Sequence, residues 1–180
     1  MELRYTPPSE CEPGTILRLL EASYAALVEA EPEIWMPERQ SWEASDRDAF
    51  EHPQTVGACT FLTWAGSELV GFFAFDPRPR PLGLVGHNCI LPAFRGRGLG
   101  SRQLRELLGR LESIGIRRAQ ASTLDHPFFL PARRMYVACG FHQTGAIPWE
   151  RDPTRRLLQF EARAGGRWVS RRSLRRRIPL

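Results

Sequence analysis

The 180-residue chain reads as an α/β fold, a mixed and mostly antiparallel central sheet with flanking helices. Three observations carry this. Apolar residues recur at helical spacing over Thr15 to Ala30 and again from Leu99 to Ile114. From Ala58 the pattern changes to short β-branched and aromatic runs. The order strand, helix, strand over Leu84 to Leu124 requires a crossover, and so one parallel pair.

The first helix carries Ile16, Leu20, Tyr24, Leu27 and Val28 on one face, with Pro13 and Gly14 before it and Pro32 after. A second follows Pro37, where Trp42, Ala49 and Phe50 share a face. Glu38, Glu43, Asp46 and Asp48 surround that face and read as a solvated surface or as an acidic lid over an acceptor site. Ala58 to Trp64, Leu69 to Phe75 and Leu84 to Leu91 are three strands in a meander, the last reached through the Pro-rich stretch Asp76 to Gly83. The next helix presents Leu104, Leu107, Leu108 and Leu111 on one side and stops near Ile114 at Gly115, which can take the left-handed cap conformation. Arg117 to Leu124 is a fourth strand of this set. Phe128 to Pro131 opens a short helix through Cys139, with Pro131 in its first turn and Gly140 as its cap, and Leu157 to Ala162 closes the sheet.

This length suits one domain, residues 1–164, able to bury something near ~70% of its unfolded surface. Residues 1–57 supply N-terminal helices, residues 58–164 the sheet, and Gly165-Gly166 hinges to an Arg-rich tail, residues 165–180. Cys11, Cys59, Cys89 and Cys139 lie far apart with no C-x-x-C pair, which suggests neither a zinc site nor a disulfide framework, and no metal is expected. Neither a signal-peptide core nor an apolar run of membrane-spanning length is present, so no membrane association is expected and the compartment expected is the cytoplasm.

The formal charge of +5 conceals an uneven distribution. Residues 1–60 hold 12 acids against 4 arginines, residues 61–164 hold 8 against 15, and residues 165–180 hold 6 arginines and no acid. A nucleic-acid binder shows a basic face with groove-entering or aromatic elements. Here the excess gathers near one glycine loop and on the tail, so nucleic acid is disfavoured as a partner. The tail reads as loosely docked, or as an arm onto an acidic partner or onto a second subunit of a homodimer.

The glycine loop organises the chain. In Asn88 to Ser101, N-C-I-L-P-A-F-R-G-R-G-L-G-S, a strand ends at Pro92 and a helix begins at Leu99. Bare backbone at a helix N-terminus binds phosphate, and Arg95, Arg97 and Arg102 add full charges. A P-loop is excluded because the chain has no lysine, and a dinucleotide fingerprint fits poorly because the glycines fall at 96, 98 and 100 and Gln120 stands where an acid is needed. What remains is R-x-x-G-x-G, Arg95, Gly98 and Gly100, which resembles the acetyl-CoA pyrophosphate loop of the GNAT superfamily of N-acetyltransferases. About 40 residues on, Ala132-Arg133-Arg134-Met135-Tyr136 followed by Cys139-Gly140-Phe141 resembles the A-x-x-[LM]-Y…G-F segment of the same family. The resemblance covers about residues 58–164. One departure is Phe129, where the family often has an Asn that bonds the pantetheine arm.

What the resemblance implies is a splayed parallel pair with acetyl-CoA as co-substrate. Its pyrophosphate would lie on Arg95, Gly96, Arg97, Gly98, Leu99, Gly100 and Ser101, and its pantetheine arm along Cys89, Ile90 and Leu91 near Phe129. The Ile90 N–H would face the thioester carbonyl, and Tyr136 would be the general acid, a phenol roughly matched to an alkyl thiol. His87 is the best-placed general base by its reference pKa and its position before Ile90, with Glu43, Asp125, His126 or a water chain as alternatives. Cys89 lacks a His–Asp pair in sequence and reads as a buried thiol. The implied activity is acetyl transfer to a primary amine of a small molecule or peptide, and the acidic N-terminal segment suggests a cationic acceptor. The rival is a CoA-binding regulatory or interaction module without catalysis.

Overall fold

Seven strands form one sheet in the computed structural model, which describes residues 2–78 and 81–163; the Arg-rich tail lies outside the described residues. The strands are β1 (Leu3–Thr6), β2 (Thr60–Ala65), β3 (Glu68–Asp76), β4 (Leu82–Ile90), β5 (Arg118–Leu124), β6 (His142–Trp149) and β7 (Asp152–Arg163). The helices are α1 (Thr15–Ala30), α2 (Pro32–Trp35), α3 (Glu38–Glu51), α4 (Leu99–Ser113) and α5 (Leu130–Ala138). Strand order is β1-β2-β3-β4-β5-β7-β6, and every pairing is antiparallel except β4 with β5. The expected sheet and its crossover are therefore present, with Gly115 and Gly140 at positive φ after α4 and α5.

Three elements differ from expectation. β1 has only four residues, too few for its alternation to stand out, and forms by pairing with β2 through Leu3 and Ala65 to Thr6 and Leu62. β6, H-Q-T-G-A-I-P-W, contains Gly145 and Pro148 and is exposed along most of its length; it is an edge strand held by β7, which itself begins five residues before Leu157. α2 is one turn opened by Pro32 between the two expected N-terminal helices.

The core has two layers. On one face, Leu104, Leu107, Leu108 and Leu111 of α4 are 0–1% exposed and pack with Phe61, Phe73, Ala119 and Phe160. Burying each leucine is worth about 1.5–3 kcal/mol. On the other face, Ile16, Leu19 and Leu20 of α1 and Trp42 and Ala49 of α3 pack on Leu62, Phe72 and Cys89. A polar clamp joins α1 to α3. The Asp46 carboxylate accepts from the N–H groups of Gly14 (2.7 Å), Ile16 (2.8 Å) and Leu17 (3.2 Å), capping α1 from across the helix pair. Asp46 is 7% exposed, so it belongs neither to a solvated face nor to a lid, which corrects the expectation for this residue.

Two features of β4 open the sheet beside it. Phe73 faces Asn88 while Phe75 faces Val85, so one residue of β3 stands opposite two of β4, a bulge. It turns Asn88 toward α5 and leaves His87 and Cys89 facing α1 and α3. Pairing of β4 with β5 covers only Leu82 with Arg118, Gly83 with Ala119 and Leu84 with Gln120. Beyond Leu84 the strands part.

Candidate functional site

The glycine loop stands at the open end of that gap. A single helical turn over Pro92–Phe94 delivers the chain to Gly96 (φ 76°) and Gly98 (φ 75°), both left-handed. A Cβ at either would meet nothing within 4 Å, so it is backbone conformation that requires glycine there. Gly98 is the N-cap of α4, and no side chain caps it. The first-turn residues Leu99, Gly100 and Ser101 line the cleft, and the partial positive charge of the helix end points into it.

The arginines are deployed differently from expectation. Arg95 turns inward, its Nε donating to the Ile90 carbonyl at 2.9 Å and its Nη2 to the Ser23 carbonyl at 2.7 Å, with the guanidinium 5.7 Å from the Phe128 ring centre. Two of its donors thus tie α1 to the end of β4. Arg97 donates to the Ala93 carbonyl at 3.1 Å and lies over Phe94. Arg134, exposed on α5, lines the cleft and makes no hydrogen bond or ion pair among the described residues. In sequence Arg134 is a variable position of its motif with no role of its own; only the fold sets it beside the loop.

The cleft has a volume of about 460 Å³ and runs between β4, the loop, the start of α4, and α5. Asn88, Cys89 and Ile90 line one side and Pro131, Ala132 and Met135 the other. The Leu91 N–H donates to Val70 of β3 at 2.8 Å. Successive amides alternate between the two edges of a strand, so the Ile90 N–H points away from β3 into the gap, as does the Ile90 carbonyl that Arg95 holds. Gln103, buried on α4 and fixed by its 2.7 Å bond to the Thr63 hydroxyl, reaches within 3.5 Å of the Cys89 carbonyl. Its place amid the α4 leucines gave no sequence signal.

Tyr136 is 3% exposed and packed against Phe141 and Phe160, with the Asn88 side chain beside its hydroxyl. Burial pushes the phenol up to about 12, which removes the match to an alkyl thiol expected from its reference value. His87 does not line the cleft. Its Nε2 is 3.3 Å from the Ser41 hydroxyl on α3, and burial lowers its pKa, so the ring is neutral near pH 7. Cys89 donates to the Leu19 carbonyl at 3.6 Å, and burial pushes its thiol up to about 11, so it is no thiolate nucleophile. Of the alternative bases, His126 has both nitrogens engaged: Nδ1 accepts from the Phe128 N–H at 3.2 Å and Nε2 lies 3.7 Å from Glu31. Asp125 pairs with Arg133 and Glu43 with Arg39. Phe129 lines the cleft in contact with Tyr24, Trp35 and Phe128.

The acids of the N-terminal segment are largely engaged. Glu31 binds Arg155 at 2.8 Å and accepts from the Trp35 indole at 2.9 Å, which holds its carboxyl down to about 2. Glu38 pairs with Arg151 at 2.9 Å, Glu21 and Glu43 share Arg39, and Asp48 is 3.5 Å from Arg47. Among the described residues no carboxylate lines the cleft. Among them, too, no cluster of three His, Cys, Asp or Glu could hold a metal ion, and no helix is long and apolar enough to cross a membrane.

A glycine loop leading into an uncapped helix, set where a parallel pair splits, makes a cleft suited to an anionic ligand. The sequence match agrees: residues 18–141 fit the acetyltransferase (GNAT) family model, more than half of the chain, and the chain belongs to that family. The match reaches back through α1 and α3, further than the motifs alone suggested. Among solved structures, a protein described as an acetyltransferase of the GNAT family from Desulfovibrio desulfuricans superposes with a TM-score of 0.73 at 15% identity, covering 91% of this chain and all of that one. An IAA acetyltransferase from Bacillus cereus gives 0.62 at 14% identity over 90% of this chain and 99% of its own. A Bacillus subtilis acetyltransferase in complex with CoA gives 0.60 at 14% identity, with the same coverage. At these identities the likeness is one of fold. No curated protein matches the chain in sequence.

Proposed function

We propose that the chain transfers the acetyl group of acetyl-CoA to a primary amine by direct attack in a ternary complex. The observation that carries this is the meeting of the uncapped α4 N-terminus at Gly98 with the strand edge freed beyond Leu84, so that one cleft offers an anion cradle and an unpaired strand amide. Bound acetyl-CoA would supply an activated acetyl carbonyl with a thiol leaving group. The first-turn N–H groups of α4 would donate to phosphate oxygens, the helix end contributing about 0.3–2 kcal/mol, and Arg134 offers a full charge at the rim. The Ile90 N–H is the donor for the carbonyl oxygen as it gains charge, and one such donor is worth roughly 2.7–4 kcal/mol.

Tyr136 stands at the family's position for the acid that protonates the departing thiolate, and its raised pKa keeps the proton in place across the neutral range. His87 is the base. Its lowered pKa leaves it neutral down to pH values below about 6.5, so a rate that depends on it holds its acidic limb below that pH, and His87→Ala should remove the limb. The four cysteines are free thiols, which suits a reducing cytoplasm. The second reading, a CoA-binding regulatory module without catalysis, draws on the burial of Tyr136 and on Phe129 in place of Asn. Calorimetry with acetyl-CoA, followed by CoA release over a panel of small amines and peptide N-termini, separates them. Binding with turnover supports the enzyme, binding without turnover on any acceptor supports the module, and absence of binding removes both.

A further inference from the structure

The cleft carries a second chemistry that the cofactor does not account for. On the side of the gap formed by α1, three partly exposed rings converge: Tyr24 from α1, and Phe128 and Phe129 from the turn after β5. Tyr24 stacks on Trp42 at 5.3 Å and meets Phe128 at 5.6 Å and Phe129 at 6.2 Å; Trp35 backs Phe129 at 5.7 Å. The loop, α4 and α5 occupy the other side of the sheet. With the cofactor proposed to hold the loop and the start of α4, this aromatic face is the part of the cleft left to an acceptor.

Charge narrows the choice of acceptor. Among the described residues the only ionised side chains lining the cleft are Arg95 and Arg134, and the acids of α1 to α3 named above are tied to arginines or, for Asp46, to the end of α1. A second positive charge on an acceptor would meet no carboxylate in the cleft lining. The single charge of an ammonium group would be pushed off by desolvation and by the arginines, leaving the neutral amine that attacks. Affinity must then come from the group that carries the amine, and flat ring faces offer apolar area and stacking. The Tyr24 hydroxyl makes no hydrogen bond among the described residues, and burial holds it protonated. It is a neutral phenol facing the cleft.

Resting on the acetyltransferase reading above, we propose that the acceptor is a primary amine on an aromatic carrier, an arylalkylamine, whose ring lies against Phe128 and Phe129 and whose nitrogen is received by the Tyr24 hydroxyl. Tyr24 accepts a hydrogen bond from the neutral amine and aims its lone pair at the carbonyl. The C–N bond forms as the C–S bond breaks, one proton passes from the amine to the base, and the thiolate takes one from the acid.

The test measures CoA release by the full chain with 2-phenylethylamine, n-propylamine and spermidine, beside calorimetry with acetyl-CoA. An aromatic ring buried in a matching pocket should raise kcat/KM for 2-phenylethylamine at least about 10-fold over n-propylamine, with spermidine no better than n-propylamine. Tyr24→Phe keeps the ring and should raise KM for 2-phenylethylamine several-fold while leaving acetyl-CoA affinity unchanged; Phe129→Leu should erase the preference for the aromatic amine. Spermidine used as well as or better than 2-phenylethylamine, or no turnover of any of the three by a chain that binds acetyl-CoA, overturns the arylalkylamine class. Normal KM in Tyr24→Phe overturns the role of its hydroxyl. Failure to bind acetyl-CoA at all would instead bring down the acetyltransferase reading on which this proposal stands.

Discussion

The two sides of the cleft are built from different materials. The side we assign to the cofactor is made of main chain: left-handed glycines, the uncapped start of α4 and a strand edge without a neighbour. The acceptor side is made of side chains: a stack of rings closed off by the ion pairs Glu31–Arg155 and Glu38–Arg151, which tie α1 and α3 to the β6–β7 hairpin. Main-chain sites depend on a few conformations, and so on a few residues spaced closely in sequence. Side-chain sites draw on distant segments, each replaceable by others of similar size. One half of the cleft is accordingly rigid in design and the other open to variation.

The sharpest probe of this contrast is Tyr136, buried on α5 behind the cleft wall rather than lining it. Tyr136→Phe should lower kcat on the order of 10²–10⁴-fold with acetyl-CoA affinity kept. Turnover that stays constant while thermal stability falls would show that the hydroxyl only packs against Asn88. Next in size is the loop. Gly98→Val places a β-branched residue at φ 75° and should remove most of the stabilisation that acetyl-CoA gives, about 2.7 kcal/mol at a hundred times its dissociation constant. A substituted protein whose melting point still rises with ligand as the wild type's does would mean that the cradle tolerates another backbone shape.

On the acceptor half the expected effects are smaller and fall on stability. Asp46→Ala strips three N–H groups at the start of α1 of their acceptor and should cost about 1–3 kcal/mol in urea unfolding. A loss below about 0.5 kcal/mol would mean that water replaces the carboxylate. Glu31 gives the pH test. Its folded pKa is depressed to about 2 from 4.5, so its contribution is complete above about pH 4.5 and is lost as pH falls toward 2. Since the pair is partly exposed, that contribution is at most about 1 kcal/mol, and Glu31→Gln should flatten the acid side of the stability curve by that amount. An unchanged acid limb would assign the dependence to other carboxylates.

The same division explains what could be read from the sequence. The bounds of α1 agree with the helix expected from Thr15 to Ala30, and α4 begins at Leu99 as its leucine spacing requires, because periodicity and caps are local signals. The short β1 and the edge strand β6 are held by neighbours rather than by their own residues, so they leave no mark. At the site, glycine spacing locates the loop, but nothing local reveals that Arg95 commits two donors to the carbonyls of Ile90 and Ser23. Asp46 looks like its neighbours Glu43 and Asp48; only the docking of α3 beside Gly14 makes it a cap. In sequence Tyr24 is one apolar contact of a helix face, and its position in the cleft depends on where β5 ends.

The freed edge of β4 also bears on how the sheet avoids pairing with other chains. A sheet edge invites pairing with other chains, and proteins guard such edges with short strands, proline or charge. The two outer edges here follow that practice: β1 has four residues followed by Pro7 and Pro8, and β6 contains Pro148. The third edge, β4 beyond Leu84, carries Val85, Cys89 and Ile90 with no proline and no charge other than His87 could bear. It can remain so because α1 packs against β4 on one face and α4 on the other, so a foreign strand would have to fit between two helices to pair there. The same walls that shape the cleft thus act as its gatekeepers against aggregation.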